Sequence, residues 1–249
     1  MAIDLKSIVS GAQKMPPCIL IYGTGGIGKT TFAACAPNPV FIRTEDGMGM
    51  IDVPAFPVAS TFNEVMEAIE SLATQDHEFK TLVIDSLDWL EPLILKKVAE
   101  DEKVQSVEQI PYGKGYFMAL QLWSDFIDAL AFLRNEKNMT VIQIAHAEIK
   151  RYDDPSNDPY DRYQVKLHKL AAAKLIENSD IVAFANYRTA VRQVDAGMGQ
   201  KKAKAIGSGE RILFLEERPA FIAKNRYSMP SEIPMEWNRL SELVPNLSQ

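Results

Sequence analysis

The feature that most constrains this chain is a glycine-rich segment near its start, Gly-Thr-Gly-Gly-Ile-Gly-Lys-Thr at residues 23–30. It satisfies every fixed position of the pattern GxxxxGK[S/T], and it follows an apolar run at 18–22 that predicts a buried strand. A helix is predicted from about Lys29. In this context the glycines allow successive backbone N–H groups to point at one anion, and the helix N-terminus adds its dipole. The segment therefore predicts a phosphate-binding loop at a strand-to-helix corner.

Each part of this loop has an expected role in holding a nucleoside triphosphate. Lys29 is expected to reach the β- and γ-phosphates, the Thr30 hydroxyl to bind Mg²⁺, and Thr31 to lie beside the α-phosphate. The predicted nucleotide-binding residues are Gly23, Thr24, Gly25, Gly26, Ile27, Gly28, Lys29, Thr30 and Thr31. The predicted cofactors are ATP and Mg²⁺.

Length and composition indicate one globular domain. The chain has 249 residues, of which 47% are hydrophobic and 24% are charged. We predict a single domain over 1–249, with an N-terminal extension at 1–17 and a C-terminal tail or helix at 229–249. The apolar runs are short and the start lacks a signal-peptide core, so we expect a cytoplasmic protein with no membrane partner. Cys18 and Cys35 lie in predicted core elements, where we expect both to be buried.

Strands and helices alternate along the chain, which is typical of a mostly parallel sheet with helices on both faces. Strands are predicted at residues 18–22, 40–42, 81–84, 140–145 and 181–187, and helices from 29, from 61, over 117–135 and over 167–177. Residues 147–166 are rich in turn formers, which predicts a long polar loop. The chain is then predicted to end in antiparallel strands at 189–194, 211–215 and 220–223.

A triphosphate site also needs carboxylates, and the ends of two predicted strands supply them. Asp85 follows the strand 81–84, so its side chain is expected at the carboxyl edge of the sheet, where open α/β sheets bind ligands. There it would hold a water on Mg²⁺, although it could instead cap the next helix. Glu45 follows the strand 40–42 and is the predicted group that polarises the attacking water. Asp46 is the alternative, and both acids could simply lie in an exposed turn.

The order of these parts resembles the RecA-type ATPases. Residues 41–45, Phe-Ile-Arg-Thr-Glu, resemble the family's phrase Phe-Ile-Asp-Ala-Glu, and residues 83–86 match its Val-Ile-Asp-Ser phrase. In that family a later strand ends in a residue that senses the γ-phosphate, often Gln, and here the strand 140–145 ends at His146. The family's late Lys-Asn-Lys segment resembles Lys-Asn-Arg at 224–226.

The resemblance implies a RecA-like P-loop NTPase core in the α/β class, a mostly parallel sheet flanked by helices with antiparallel C-terminal strands. It implies catalytic roles for Lys29 and Glu45, and a γ-phosphate sensor at His146. Lys224 and Arg226 would enter a neighbouring subunit's site and stabilise charge on the transferred phosphoryl group. The implied partner is a second copy, in a homo-oligomer with nucleotide at its subunit interfaces. His146 could instead be a surface histidine, and residues 224–226 an exposed basic turn.

The size of the chain also resembles the short phage-encoded nucleotide-binding proteins related to the RecA core, several of which are thought to act in single-strand annealing or recombination. This resemblance implies single-stranded DNA as a partner, together with a single-strand-binding protein. Residues 146–170 carry five positive and five negative side chains, whereas 188–211 carry six and two, in a chain of net charge −6. The second segment predicts a flexible basic hairpin tip, the alternative being a solvated turn. The predicted DNA-binding residues are Lys150, Arg151, Lys201, Lys202 and Lys204.

Two functions follow as hypotheses. The first is a RecA-type ATPase that assembles on single-stranded DNA, promotes annealing or strand exchange and is stimulated by DNA. The second is a nucleotide-switched accessory or loader protein that acts through protein partners with little hydrolysis of its own. It is favoured by the balanced charge of 146–170 and by the absence of a glutamate directly after Asp85. A small-molecule kinase is less favoured because no arginine-rich lid is evident.

Overall fold

The structure, a computed structural model, describes residues 15–47, 49–154, 158–195, 201–245 and 247, with the backbone only at 189–195 and 201–208. Its strands are β1 (Cys18–Gly23), β2 (Pro39–Arg43), β3 (Thr81–Asp85), β4 (Thr140–Tyr152), β5 (Tyr160–Val165), β6 (Ile181–Asp195), β7 (Lys201–Phe214), β8 (Lys224–Asn225) and β9 (Glu232–Pro234). Its α-helices are α1 (Lys29–Ala34), α2 (Phe62–Thr74), α3 (Leu87–Asp101), α4 (Lys114–Glu136), α5 (Lys169–Asn178) and α6 (Trp237–Ser241).

The described strands form one mixed sheet in the order β2-β3-β4-β1-β6-β7-β9, with β5 on β4 and β8 on β6. β1 pairs in parallel with β4 and β6, and β3 pairs in parallel with β2 and β4. β7 runs antiparallel to both β6 and β9. The predicted α/β class is confirmed, with a mostly parallel sheet, flanking helices and antiparallel strands toward the C-terminus.

The central strand β1 shows why the sheet is covered on both faces. All six of its residues are buried, as expected for a parallel strand between two helical layers. Leu20 and Tyr22 face a core built with α2, α3, α4 and α5. Ile19 and Ile21, which alternate with them, face a second core built with α1 and α6. Alternate side chains of this one strand therefore pack into two different cores.

The prediction of a polar loop at 147–166 is wrong. β4 continues beyond the core to Tyr152, and β5 returns antiparallel to it, from Ala147 opposite Val165 to Tyr152 opposite Tyr160. The sequence of this hairpin has no hydrophobic periodicity because the hairpin projects from the core, so most of its side chains are partly or fully exposed. Cross-strand side-chain pairs stabilise it instead. Of the turn formers that suggested a loop, Asp153, Asp154 and Pro159 lie between β4 and β5, and residues 155–157 lie outside the described residues.

Helix α3 has no counterpart among the predicted helices. Leu87, Leu90, Ile94 and Val98 are buried at helical spacing and provided a usable signal. Pro92 obscured that signal, because a proline inside a helical pattern usually marks a helix end.

The C-terminal strands also differ from the predicted ones. The strands predicted at 189–194 and 211–215 are parts of the longer β6 and β7, and the predicted hairpin tip includes residues 196–200, which lie outside the described residues. The prediction of a strand at 220–223 is wrong: among the residues that the structure describes, Phe221 makes isolated bridges to Tyr163 and Arg218 and belongs to no strand. β9 was not predicted, although it brings the chain back to β7.

One helical stretch and the two cysteines bear on the remaining expectations. Within the described residues, the stretch Pro111–Glu136 is long and apolar enough to cross a membrane by length and composition. Its apolar residues Trp123, Phe126 and Leu133 are buried in the core, and a core helix passes the same test. Cys18 is buried as expected, but Cys35 is exposed.

Candidate functional site

The phosphate-binding loop occupies the carboxyl end of β1, as predicted, and its backbone explains two of the glycines. A Cβ on Gly23 would overlap the Ala185 carbonyl oxygen of the neighbouring strand β6, so the close strand packing excludes any side chain there. Gly28, at the N-cap of α1, has φ +101°, which disfavours other residues. Between them Ile27 is fully buried and anchors the loop to the core.

The Lys29 side chain turns back into the loop that precedes it in sequence. Its Nζ donates to the carbonyl oxygens of Gly23 and Thr24, each at 3.0 Å, and only 5% of the residue is exposed. Burial lowers the pKa of Lys29, while the nearby carboxylates of Asp85, Asp88 and Glu45 act in the opposite direction. The ammonium group is therefore held by the loop and lies within the field of three acids.

Thr30 and Asp85 bring a hydroxyl and a carboxylate together across 55 residues of sequence. Thr30 Oγ1 donates to Asp85 Oδ2 at 2.8 Å, so the Asp85 side chain faces the loop rather than capping α3. Burial raises the pKa of Asp85 and Glu45 adds to that rise, whereas the hydrogen bond from Thr30 lowers it. No group of three or more His, Cys, Asp or Glu in the described residues could hold a metal ion. Two hard oxygen ligands suit Mg²⁺, which usually retains waters and takes its remaining ligands from substrate phosphates.

Glu45 is held beside this pair by Ser86. Ser86 Oγ donates to Glu45 Oε1 at 2.8 Å, and the Ser86 main chain exchanges two hydrogen bonds with the Thr44 hydroxyl, at 2.9 and 2.6 Å. The Asp85–Ser86 peptide bond is cis. β2 and β3 are adjacent in the sheet, so their carboxyl ends place Glu45 and Asp85 side by side. Asp46, the alternative acid, is exposed.

His146 lies at the point where β4 leaves the core. Its Nδ1 contacts Asp88 Oδ2 at 2.9 Å, and its backbone N–H donates to Asp88 Oδ1 at 2.9 Å. The Cδ2–Nε2 edge of the ring faces the loop: Cδ2 and Nε2 each lie 3.9 Å from the position of a Cβ on Gly25. Burial alone would raise the pKa of Asp88, but the hydrogen bonds from His146 and Ser86 outweigh it and lower that pKa.

These side chains line a single cleft of about 280 Å³. Its lining residues come from the loop and α1, from the segment after β2, from the end of β3 and from the middle of β4: Gly26, Gly28, Lys29, Thr30, Thr31, Glu45, Gly47, Ile51, Asp85, Ile144 and His146. The structure therefore brings Lys29, Thr30, Glu45, Asp85 and His146 into one place. Hydrophobic strand positions and main-chain pairing produce this convergence: Lys29 and Thr30 follow β1, Glu45 follows β2, Asp85 ends β3 and His146 lies on β4.

Three residues near the cleft were missed as site residues. Ser86 directly follows Asp85 and Asp88 comes two residues after Ser86, so polar residues just after a strand-end acid were the available signal. Arg211 was counted only within a basic segment, yet its Nη1 lies 2.5 Å from the position of a Cβ on Gly28. No local signal could have found that contact, because 183 residues separate the two positions.

Lys224 and Arg226 lie at the opposite edge of the sheet, where β1 and β6 begin. Lys224 Nζ donates to the carbonyls of Ile176 and Glu177 at the end of α5, both at 2.9 Å. Arg226 Nη1 pairs with Asp180 Oδ1 at 2.9 Å, and Asp180 Oδ2 accepts from the backbone N–H of Cys18. Within its own chain this basic segment holds together three elements. Its predicted role in a neighbouring subunit's site stays a prediction.

The predicted DNA-binding residues lie on two hairpins. Lys150 is on β4, where its Nζ pairs with Glu148 Oε1 at 2.6 Å, and the neighbouring Arg151 is exposed opposite Asp161. The side chains of Lys201, Lys202 and Lys204, on β7, lie outside the described residues. Their contribution to a DNA surface stays a prediction.

Comparison with known proteins places the fold and the loop in a family. A family model described as an AAA domain matches residues 15–227. The chain is also 26% identical, over 172 residues, to the SPbeta prophage-derived uncharacterized protein YorG of Bacillus subtilis (strain 168). That match covers 67% of this chain and 49% of the relative, so the chain spans about half the length of the curated relative that it matches.

Proposed function

This chain belongs to the AAA domain family, and we propose that it is a RecA-type ATPase that binds single-stranded DNA and promotes annealing or recombination. The family supports nucleotide binding and ATPase activity in general. The prophage origin of the relative supports a phage role and a site of action in the bacterial cytoplasm. ATP, Mg²⁺, DNA and further copies of the chain are the proposed partners, with a single-strand-binding protein as another.

The observation that carries the proposal is the convergence of Lys29, the Thr30–Asp85 pair and Glu45 on one cleft. Lys29 supplies a cation for the phosphate oxygens, and the loop N–H groups orient them. Thr30 and Asp85 would hold Mg²⁺, which neutralises charge on the phosphates. Asp85 has the raised pKa of a buried acid, so a cation beside it favours the ionised form.

Glu45 is the group placed to polarise the attacking water. Its Oε1 accepts from Ser86, which leaves Oε2 available to accept a hydrogen bond from water in the cleft. His146 faces Gly25 of the loop and could report on the terminal phosphate to the hairpin formed by β4 and β5, because it lies at the base of that hairpin. ATP binding would thereby favour the DNA-competent form, and hydrolysis would release it.

The test is ATP turnover with and without single-stranded DNA, for the wild type and for Glu45→Gln. We expect DNA to stimulate the wild type, and added salt to weaken that stimulation because bound phosphates release counterions. Glu45→Gln should lower turnover about 10²- to 10⁴-fold while ATP binding is retained. Asp46→Asn is the matched control, since this neighbouring acid is exposed. Absence of DNA stimulation at low salt, with ATP binding shown, would refute the DNA-dependent part of the proposal.

A nucleotide-switched accessory or loader protein is the second candidate, and the ion pairs on the hairpins favour it. Lys150 pairs with Glu148, and Arg188 pairs with both Glu210 and Glu232 at 2.9 Å, so these cations are partly neutralised for a DNA strand. For an accessory or loader protein, Glu45→Gln should barely change the action on protein partners, because the bound nucleotide rather than its hydrolysis is the signal. The same variant therefore distinguishes the two candidates.

A further inference from the structure

A short irregular segment, residues 216–222, lies between β7 and β8 and is anchored in the core. We call it the strap. Phe221 is buried, and its ring packs against the rings of Phe184 and Phe214, with centroids 5.0 and 4.9 Å away. Because protein cores are close-packed, a displacement of the strap is passed on to the groups that hold it and to the chain that follows it.

The strap is held from β1 by the Tyr22 hydroxyl. Tyr22 directly precedes Gly23 of the phosphate-binding loop and is fully buried. Its hydroxyl donates to the Ile222 carbonyl at 2.7 Å and accepts from the Ile222 backbone N–H at 2.9 Å. Burial raises the pKa of Tyr22, so the hydroxyl keeps the proton that it donates. One side chain therefore binds both main-chain groups of a strap residue.

The strap is also held from the hairpin formed by β4 and β5. Arg162 of β5 is buried, although the residues beside it on the strand are partly or fully exposed. Its Nη2 donates to the Phe221 carbonyl at 3.1 Å and pairs with Glu217. The next residue, Tyr163, donates its backbone N–H to the Ala220 carbonyl at 2.8 Å. An arginine is rarely buried unless its donors are paired, so the hairpin cannot shift against the core without moving the strap.

The strap leads directly into the basic segment 224–226. One residue separates Ile222 from Lys224, and β8 pairs with the start of β6, with Lys224 opposite Val182. The chain has only two soft dihedrals per residue, so a shift of Ile222 displaces Lys224 and the residues after it. The hairpin, the strand before the phosphate-binding loop and the basic segment are thus joined by one strap.

We infer that Arg162 and Tyr22 are positioning residues for the ATPase reaction: through the strap they set where Lys224 and Arg226 lie in the cleft of a neighbouring copy. Single-stranded DNA on the hairpin favours one position of β5, and the strap carries that preference to the two cations. DNA on one copy then raises turnover in the cleft of the next copy rather than in its own. The inference rests on the proposed function, which supplies the DNA and the neighbouring copy.

Two single variants remove the two side-chain contacts of the strap. Arg162→Gln removes the cation at the Phe221 carbonyl, and Tyr22→Phe removes only a hydroxyl. We expect each to lower the DNA-stimulated kcat about tenfold, the scale of one strong hydrogen bond. Neither side chain lines the cleft, so the Kd for ATP and the turnover without DNA should change less than about twofold.

Two matched controls and a conservative variant accompany them. Arg218→Gln is the control for Arg162→Gln, because Arg218 is exposed on the strap and pairs with Glu216. Tyr112→Phe is the control for Tyr22→Phe, because Tyr112 is almost fully exposed. DNA should stimulate both controls as it does the wild type. Arg162→Lys keeps a cation that can donate to a carbonyl, so it should restore part of the lost stimulation.

Mixed assemblies distinguish an action on the neighbouring cleft from a structural role within one chain. Arg162→Gln has an intact cleft, whereas Glu45→Gln has an intact strap and little turnover. An Arg162→Gln copy beside a Glu45→Gln copy receives its cations from an intact strap. With Glu45→Gln in excess, we therefore expect DNA-stimulated turnover per Arg162→Gln subunit to approach the wild-type value. The double variant Arg162→Gln with Glu45→Gln, mixed in the same ratio, should give no recovery.

The outcomes separate this inference from the proposed function. If DNA does not stimulate the wild type, the DNA-dependent part of the proposed function fails, and the inference fails with it. If DNA stimulates the wild type and Arg162→Gln equally, the inference is overturned and the proposed function stands. Co-precipitation of a tagged Glu45→Gln copy shows that the two variants assemble. Assembly without recovery would likewise overturn the inference, because Arg162 would then act within its own chain.

Discussion

At the scale of single residues, Ser86 determines where the Glu45 carboxylate lies. Its hydroxyl binds Glu45, and its main chain is locked to Thr44 by two hydrogen bonds. Ser86 is fully buried, so the hydroxyl cannot exchange its partner for bulk water. The glutamate is therefore oriented by a residue that has no chemistry of its own in the proposed reaction.

Replacing Ser86 with Ala should remove this orientation without touching the phosphate-binding loop. We expect kcat to fall about tenfold, the scale of one hydrogen bond to a charged group, while the Kd for ATP changes less than about twofold. The double variant with Glu45→Gln should lose little more turnover than Glu45→Gln alone, since both changes act on one group. Additive losses would show that Ser86 acts elsewhere.

Lys29 is the residue on which nucleotide affinity should depend most. Lys29→Ala removes a buried cation from the loop, and we expect ATP affinity to fall about 10- to 100-fold, as for the loss of one or two charge-assisted hydrogen bonds. Lys96→Ala is the control, because Lys96 is exposed, lies far from the loop on α3 and forms a surface ion pair with Glu100 at 3.8 Å. Calorimetric titration with ATP gives both values. Unchanged affinity in Lys29→Ala would remove the foundation of the proposed site.

At the scale of elements, Asp88 joins the start of α3 to β4 and β5. Its carboxylate accepts from the His146 backbone and ring, and Lys166 Nζ, just after β5, lies 3.9 Å from it. Only 2% of the Asp88 side chain is exposed. The hairpin formed by β4 and β5 is thus tied to the helix that follows the Asp85 strand, which connects the cleft to the hairpin.

Asp88→Asn should weaken this junction in a pH-dependent way. The pKa of Asp88 is lower in the folded chain than in the unfolded one, so its ionised form stabilises the fold above the unfolded value of about 3.9. That stabilisation is lost as the pH falls through the still lower folded pKa. We expect Asp88→Asn to lower the free energy of unfolding by about 1–3 kcal/mol near pH 7.

The difference between wild type and Asp88→Asn should shrink as the pH is lowered below about 4. Urea unfolding at several pH values measures it. Asp101→Asn is the control: Asp101 is half exposed and pairs with Lys97 in a surface ion pair, so we expect a change of at most about 1 kcal/mol. A difference for Asp88→Asn that does not depend on pH would contradict the assigned role of the carboxylate.

At the scale of the whole molecule, the sheet separates two groups of cations. Lys29 lies at the carboxyl edge of the parallel strands, whereas Lys224 and Arg226 lie at the amino edge, beside Asp180. Residues so placed cannot reach the cleft of their own chain. If they act on a nucleotide, the nucleotide belongs to a neighbouring copy.

We therefore expect turnover per subunit to depend on assembly. If neighbouring subunits complete the site, ATP turnover per subunit should rise with protein concentration over about a thousandfold range and then saturate, in parallel with a mass above that of the monomer. Light scattering with ATP present gives the mass. A monomer whose turnover per subunit is independent of concentration would rule out a site completed in trans.

The local determinants of the site could be predicted from sequence because each lies within a few residues of a strand end. The pattern at 23–30 specifies its own turn, and Glu45 and Asp85 follow short apolar runs that indicate buried strands. The hairpin at 147–166 could not be predicted, because its exposed strands carry no hydrophobic period. Pro92 likewise obscured α3, whose stability comes from burying Leu90 and Ile94 rather than from local preference.

The amino-acid sequence alone thus determined the phosphate-binding loop, the α/β class and the strand-end acids, because these depend on local backbone geometry and on the alternation of apolar residues. Only the tertiary structure decided which distant groups meet the loop. Ser86 reaches Glu45 because β2 and β3 are neighbours, and Arg211 reaches Gly28 because β7 pairs with β6, which in turn pairs with β1. Such contacts follow from strand order and helix packing, which no short segment of sequence specifies.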